Sequence, residues 1–136
     1  MIQITEQRNI VTVTLDRAKK HNALSAELID ALHKKGFKVA IETNGTLLPP
    51  KNIDWVCVSP KKNAELVLLK GDELKLVHPQ IKFTPKQFEE LDFTHFCLQP
   101  MDGKDLQKNI LECVAYCVEN PLWRLSLQTH KIMGID

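Results

Sequence analysis

The sequence contains no Cys-x-x-Cys pair, no glycine-rich phosphate loop, no His-Glu-x-x-His and no Gly-x-Ser-x-Gly. These absences exclude the common paired-thiol zinc site, the nucleotide phosphate cradle, the zinc-protease helix and the hydrolase nucleophile elbow. No apolar run approaches the roughly 20 residues of a membrane-spanning helix. The N-terminus alternates apolar and polar residues and lacks the apolar core of a signal peptide. The expected location is therefore the cytoplasm, with no membrane partner. The formal net charge is only +1, so no field draws nucleic acid nonspecifically. No internal repeat, low-complexity tract or flexible linker breaks the chain. Nothing in these features names a catalytic residue or a metal site.

What is present fits an ordinary globular protein. The chain has 136 residues, 43% hydrophobic and 26% charged, which suits a single domain over residues 1–136 with a real core. Its four cysteines read as buried, reduced thiols. Cys57 and Cys97 lie inside apolar runs, and Cys113 and Cys117 share one helix face. A Cys113/Cys117 pair could supply two metal ligands, but the sequence offers no convincing partners.

Alternation predicts two strands, Ile2 to Thr5 and Ile10 to Leu15, with Arg8-Asn9 in a hairpin turn. Asp16 to His21 is a charged connection. Ser25 is an N-cap for a helix to about Lys35, with Leu28, Ile29 and Leu32 on one face and Gly36 ending it. Strands follow over Phe37 to Glu42 and Ile53 to Val58. The stretch between them holds Pro49-Pro50 and is too short for a full crossover helix. Leu66 to Leu69 and Leu74 to Val77 are short strand or turn candidates around Gly71-Asp72. Thr84-Pro85 starts a short helix to Leu91. Phe93 to Leu98 is a strand, Asp105 to Glu119 an amphipathic helix ended by Asn120-Pro121, and Trp123 to Leu127 the last strand. This order predicts an α/β fold with a mostly parallel sheet, part of a barrel with few helices, preceded by a β-hairpin.

Four of the strand-like runs stop at compact polar clusters: Glu42-Thr43-Asn44-Gly45, Ser59-Pro60-Lys61, Gln99-Pro100-Met101-Asp102 and Gln128-Thr129-His130-Lys131. In a parallel sheet all strand C-termini open on one edge, so these clusters can line one pocket. Ser59 offers a hydroxyl and Lys61 an ammonium suited to a carboxylate. Glu42, Thr43 and Asn44 suit a polyol or an amino group, although Asn44-Gly45 equally suits a plain turn. Gln99 donates and accepts, as a purine or ribose edge requires. Asp102-Gly103 reads better as the turn before the long helix. His130 is the one histidine in a dense polar cluster, able to move a proton near neutrality. His21, His33, His78 and His95 lack ligand spacing and read as surface or turn residues.

Residues 24–136 closely resemble the C-terminal half of the 7-carboxy-7-deazaguanine synthases. These are radical S-adenosylmethionine (SAM) enzymes of queuosine and 7-deazapurine biosynthesis. The segments that carry the resemblance are Gly36 to Thr46, Ile53 to Lys61, Leu98 to Gly103 and Trp123 to Lys131. The resemblance implies an incomplete barrel. It implies that Ser59, Lys61 and Gln99 stand on the SAM side of the pocket. It further implies that Gln128, His130 and Asp136 stand near a pterin substrate, with Glu42, Thr43 and Asn44 at the same mouth. The family reaction contracts a tetrahydropterin ring to a deazapurine with loss of ammonia, assisted by magnesium. The family's three-cysteine motif for a 4Fe-4S cluster and its Gly-Gly-Glu-Pro segment are missing from this sequence. Cys57, Cys97, Cys113 and Cys117 match no cluster spacing. Without the cluster no electron reaches SAM.

Residues 1–23 resemble instead the start of the enoyl-CoA hydratase and isomerase (crotonase) family, through Ile10 to Arg17 and Lys19 to Leu24. In that family the hairpin is structural and the loop approaches coenzyme A. Ser25 to Leu32 fits both families. The expectation is thus a truncated or chimeric synthase, inactive alone, that retains a site for SAM or a pterin or deazapurine ligand. Three alternatives compete with it. One is a homo-oligomerising interaction module, invited by the sheet edges that half a barrel leaves open. Another is the partner of a separate cluster-bearing chain. The last is a relict coenzyme A site.

Overall fold

A computed structural model describes residues 2–8, 10–15 and 25–135. The charged connection Asp16 to His21 and the coenzyme-A-type loop Lys19 to Ala23 lie outside the described residues, as does Asp136. The chain divides into two compact units, Met1–Ala40 with Pro49–Asp54, and Ile41–Leu48 with Trp55–Asp136. Among the described residues no helix is long and apolar enough to cross a membrane.

In the first unit, β1 (Ile2–Gln7) and β2 (Ile10–Leu15) pair antiparallel, with Gln7 opposite Ile10. Arg8, in the turn, takes φ +52. Helix α1 (Ala26–His33) starts at Ser25, whose extended backbone and side-chain oxygen cap the Leu28 N–H at 3.4 Å. Leu28 and Ile29 are buried on its apolar stripe. The chain leaves the helix through Gly36 at φ +82, which a side chain resists. Asp54 then ties the following segment down. Its Oδ2 accepts the Val39 N–H at 2.7 Å and meets His33 Nε2 at 2.7 Å. The Val39 hydrogen bond, and next that of His33, hold the Asp54 carboxyl below its ordinary pKa.

The second unit is built on a five-stranded parallel sheet in the order β3 (Ala40–Thr43), β4 (Trp55–Val58), β5 (Lys70–His78), β6 (Asp92–Pro100), β7 (Trp123–Leu125). Among the described residues it is not closed into a barrel. Helix α2 (Leu106–Glu119) crosses from β6 to β7 and packs on both strands. A 3-10 turn over Pro85–Phe88 stands where the short helix to Leu91 was expected. Register aligns Val58 with Leu74, Leu74 with Phe96, and Phe96 with Trp123, so one row of apolar side chains faces α2. Leu76, Leu98 and Cys113 complete this core, each with no exposed surface. Burying each large aliphatic side chain there contributes roughly 1.5–3 kcal/mol before entropy is counted. Two polar side chains of the core find partners. Trp123 Nε1–H donates to Glu89 Oε1 at 3.0 Å, and buried Asn109 donates to the Met101 carbonyl at 2.8 Å.

Three elements differ from the sequence reading. Gly71-Asp72 is not a turn but lies inside the nine-residue β5. A Cβ on Gly71 would sit 3.0 Å from both Phe93 Cε1 and the Val56 carbonyl, so glycine permits close strand packing there. Asp72 accepts the Val56 N–H at 2.7 Å, which makes it part of the sheet. Leu66 to Leu69 is not a strand, because Val67 and Leu68 both donate to the Gly45 carbonyl at 2.9 Å. The last strand ends at Leu125, and a short α3 (Thr129–Met133) follows in place of a polar loop.

Candidate functional site

Because β4 to β7 pair in parallel, their C-termini arrive together on one edge of the second unit, beside the end of β3. Backbone links join the arrivals. Ser59 N–H donates to the Thr43 carbonyl at 2.7 Å, and Met101 N–H to the His78 carbonyl at 2.7 Å. Of the four sequence-predicted clusters, Ser59-Pro60-Lys61 follows β4 and Gln128-Thr129-His130-Lys131 comes after β7, while Glu42 and Thr43 are the last residues of β3 and Gln99 and Pro100 the last of β6. β5 adds a fifth, His78-Pro79-Gln80, which the misread turn had hidden.

Ser59 is buried, and its Oγ accepts from Lys61 Nζ at 3.0 Å, which fixes the ammonium at the strand end. Lys61 lines a groove of about 450 Å³ with Lys62, Asn63, Gln80, Ile81 and Met101. Gln80 is oriented by donating to the Val77 carbonyl at 2.7 Å. Gln99 stands opposite Val77 in the register, and its amide makes no hydrogen bond among the described residues.

The Glu42-Thr43-Asn44 cluster is divided in use. Thr43 Oγ1 accepts the Gly45 N–H at 3.2 Å, and Asn44 Oδ1 accepts from Thr46 N–H and Oγ1 at 3.1 and 2.9 Å. These bonds build the turn, with Gly45 at φ +78. Glu42 reaches instead across the sheet to Lys75 at 3.0 Å. Beyond β6, Lys131 pairs with Asp102 at 2.5 Å. That ion pair and the Gly103 N–H keep Asp102 below the ordinary carboxylate range. Gln128 and Lys131 border a small crevice against Pro100, Leu106 and Ile110. His130 is exposed on α3.

The sheet face opposite α2 carries polar rows that sequence reasoning missed. Register sets Cys57, Glu73 and His95 side by side, then Lys75, Cys97 and Arg124. Glu73 lies 3.8 Å from Lys75, which bridges it to Glu42. Burial alone would depress Lys75, but the Glu42 hydrogen bond and the surrounding negative charge outweigh it and raise its pKa. His95 stacks on Trp55 with ring centroids 5.6 Å apart and planes 19° from parallel. It is therefore a strand residue in an aromatic contact, not a turn residue. His78 closes β5 half-buried, with Nδ1 lacking a partner and its pKa pulled down by burial. The signal for this face was the alternation of Glu73 and Lys75 with Leu74 and Leu76.

The thiols do not fit an iron-sulfur cluster. Cys57 and Cys97 lie in strands and Cys113 and Cys117 on α2. Burial pushes Cys57 and Cys113 up to about 12 and Cys97 to about 11. Among the described residues no group of three or more His, Cys, Asp or Glu could hold a metal ion.

No protein-family model matches the chain. Individual relatives do. A 7-carboxy-7-deazaguanine synthase of Bradyrhizobium diazoefficiens is 55% identical over 108 residues, 79% of this chain and 51% of that protein. This chain resembles half of a 7-carboxy-7-deazaguanine synthase. The synthase of Bordetella pertussis is likewise 55% identical, over 82% of this chain and 53% of its own length. That of Bacteroides thetaiotaomicron is 40% identical over 125 residues, 92% of this chain and 65% of its own. A match of that length within 136 residues takes in part of residues 1–23. The chain spans about half the length of the curated synthases it matches most strongly, consistent with a C-terminal segment.

Proposed function

We propose that the strand-end edge of the second unit is the ligand wall of a 7-carboxy-7-deazaguanine-synthase-type site, and that the 136-residue chain does not complete the reaction alone. The observation that carries this is the Ser59–Lys61 pair, a buried hydroxyl holding an ammonium at the mouth of a groove of about 450 Å³. That is the size and chemistry for an amino-acid-bearing nucleoside. Lys61 would take the carboxylate of SAM, the Ser59 hydroxyl would donate beside it, and the Gln99 amide would read a purine or ribose edge. Glu42, Thr43, Asn44, Gln128, His130 and Asp136 would border the pterin or deazapurine side, in the cytoplasm. SAM would supply the radical chemistry only with an iron-sulfur cluster, and these thiols do not fit one.

Calorimetric titration with SAM tests the binding half of the reading. Binding to the wild-type chain, weakened at least tenfold in Lys61→Ala, supports it; binding that Lys61→Ala leaves unchanged removes Lys61 from the site. Reconstitution with iron and sulfide tests the other half. A stable cluster with turnover by this chain alone would overturn the claim of inactivity.

A second reading makes the chain the partner of a cluster-bearing polypeptide. The observation favouring it is that, among the described residues, β3 ends the sheet with one side unpaired, a template for a further strand. Co-purification with a cysteine-motif chain from the source would establish it.

A further inference from the structure

The sheet face turned away from α2 carries a charged group on its middle strand. Lys75 of β5 and its neighbour Glu73 each keep only 19% of their side-chain surface exposed. Lys75 Nζ donates to Glu42 Oε2 at 3.0 Å and lies 3.8 Å from Glu73 Oε1. Two carboxylates thus share one largely covered ammonium. Stability does not account for this arrangement, because withdrawing charges from water offsets most of what their ion pairs contribute. Position accounts for it better. Val58 stands opposite Leu74, so the residues that follow them, Ser59 and Lys75, come side by side. Gln99 stands opposite Val77, one side-chain repeat further along the same face. Lys75 therefore belongs to the same patch as Ser59 and Gln99. In the first strand-end cluster, Thr43 and Asn44 spend their oxygens on the turn. Glu42 instead turns back across the sheet, 55% exposed, and its one hydrogen-bond partner among the described residues is Lys75.

We propose that Lys75 is a positioning residue of this site: anchored beside Glu73, it holds the Glu42 carboxylate toward the strand ends, where Glu42 receives an N–H-bearing edge of the ligand. This rests on the ligand wall proposed above and adds to it a residue behind the strand ends. Glu42 and Glu73 against Lys75 leave the group one negative charge in excess, which suits hydrogen-bond donors and repels acceptors. Lys75 touches no ligand itself. It acts by fixing a carboxylate that would otherwise swing freely from the edge strand β3.

Titration of the full chain with pterin (2-amino-4-oxopteridine), followed by the fluorescence of the pterin, tests this. The wild type binds. Glu42→Gln and Lys75→Met each weaken binding about tenfold. Lys75→Arg, which keeps the positive charge and the donor, regains most of the affinity. The double variant Glu42→Gln/Lys75→Met binds no more weakly than Glu42→Gln alone, because Lys75 works only through Glu42; a general structural role would add the two losses. In the ligand-free chain, the Lys75 ammonium nitrogen shows a scalar coupling to the Glu42 carboxyl carbon across their hydrogen bond. Additive losses, a Lys75→Met variant that binds like the wild type, or no coupling to Glu42 would overturn the proposal and leave the ligand wall standing. A wild type that shows the coupling but binds no pterin up to its solubility limit would overturn the pterin side of the wall, and the proposal with it.

Discussion

Substituting Gly45 by alanine tests how the first strand-end turn is held. Gly45 has φ +78, where an alanine costs roughly 1–2 kcal/mol in backbone strain. The added Cβ would also lie 2.5 Å from Leu66 Cδ1 and 2.8 Å from Val58 Cγ1. Val58 is fully buried and cannot withdraw freely, so overpacking adds about 1–3 kcal/mol. The expected loss is about 2–5 kcal/mol in total. Gly134→Ala is the control. Its φ is +67, but nothing lies within 4 Å of the added carbon, so only strain remains. Urea unfolding followed by the fluorescence of Trp55 and Trp123 reads the second unit, which holds both tryptophans. With a slope of about 2 kcal/mol per molar urea, Gly45→Ala should lower the midpoint by about 1–2.5 M. Gly134→Ala should lower it by less than about half as much. Equal shifts in the two variants would refute the close packing of this turn on Leu66 and Val58.

Three further outcomes follow from the same geometry. Leu98→Ala, in a fully buried position facing α2, should cost about 2–5 kcal/mol by the same assay; a loss under 1 kcal/mol would contradict the assigned core. Cys57 and Cys113, pushed up to about 12 by burial, should react with a thiol reagent at pH 8 only when the chain unfolds, and prompt reaction of all four thiols in the native protein would contradict this. Asp54 is held below its ordinary value of 3.8, so its contribution to stability is complete above that pH and is lost as pH falls through the lower folded value. The Val39 amide resonance should titrate with this carboxyl, with a midpoint below 3.8, and should cease to titrate in Asp54→Asn; a midpoint at or above the ordinary value would remove the hydrogen bond from the account.

Local chemistry made part of this fold legible in the sequence. Ser25 and Gly36 bracket α1 because capping and release from a helix need only neighbouring residues. The hairpin and α2 follow from periods of two and 3.6. β5 was hidden because glycine and aspartate beside each other usually mark a turn. Here Gly71 is required by Phe93 and Val56, both distant in sequence, and Asp72 by the Val56 N–H. α3 was hidden because five residues carry too little apolar periodicity to register. The candidate site divides the same way. Ser59 and Lys61 could be named as candidates because they follow the end of β4, and Gln99 because it stands one residue before the end of β6. The Glu42–Lys75–Glu73 bridge could not, since it depends on three strands coming into register.

The account's central claim is that the strand-end edge around Ser59, Lys61 and Gln99 binds an amino-acid-bearing nucleoside. Titrating the isotopically labelled chain with SAM, and following every backbone amide resonance, tests it most directly. The account predicts saturable shifts concentrated at Ser59, Lys61, Gln80, Gln99 and Met101, and their loss in Lys61→Ala. Shifts confined to other surfaces, or none at millimolar SAM, would contradict it.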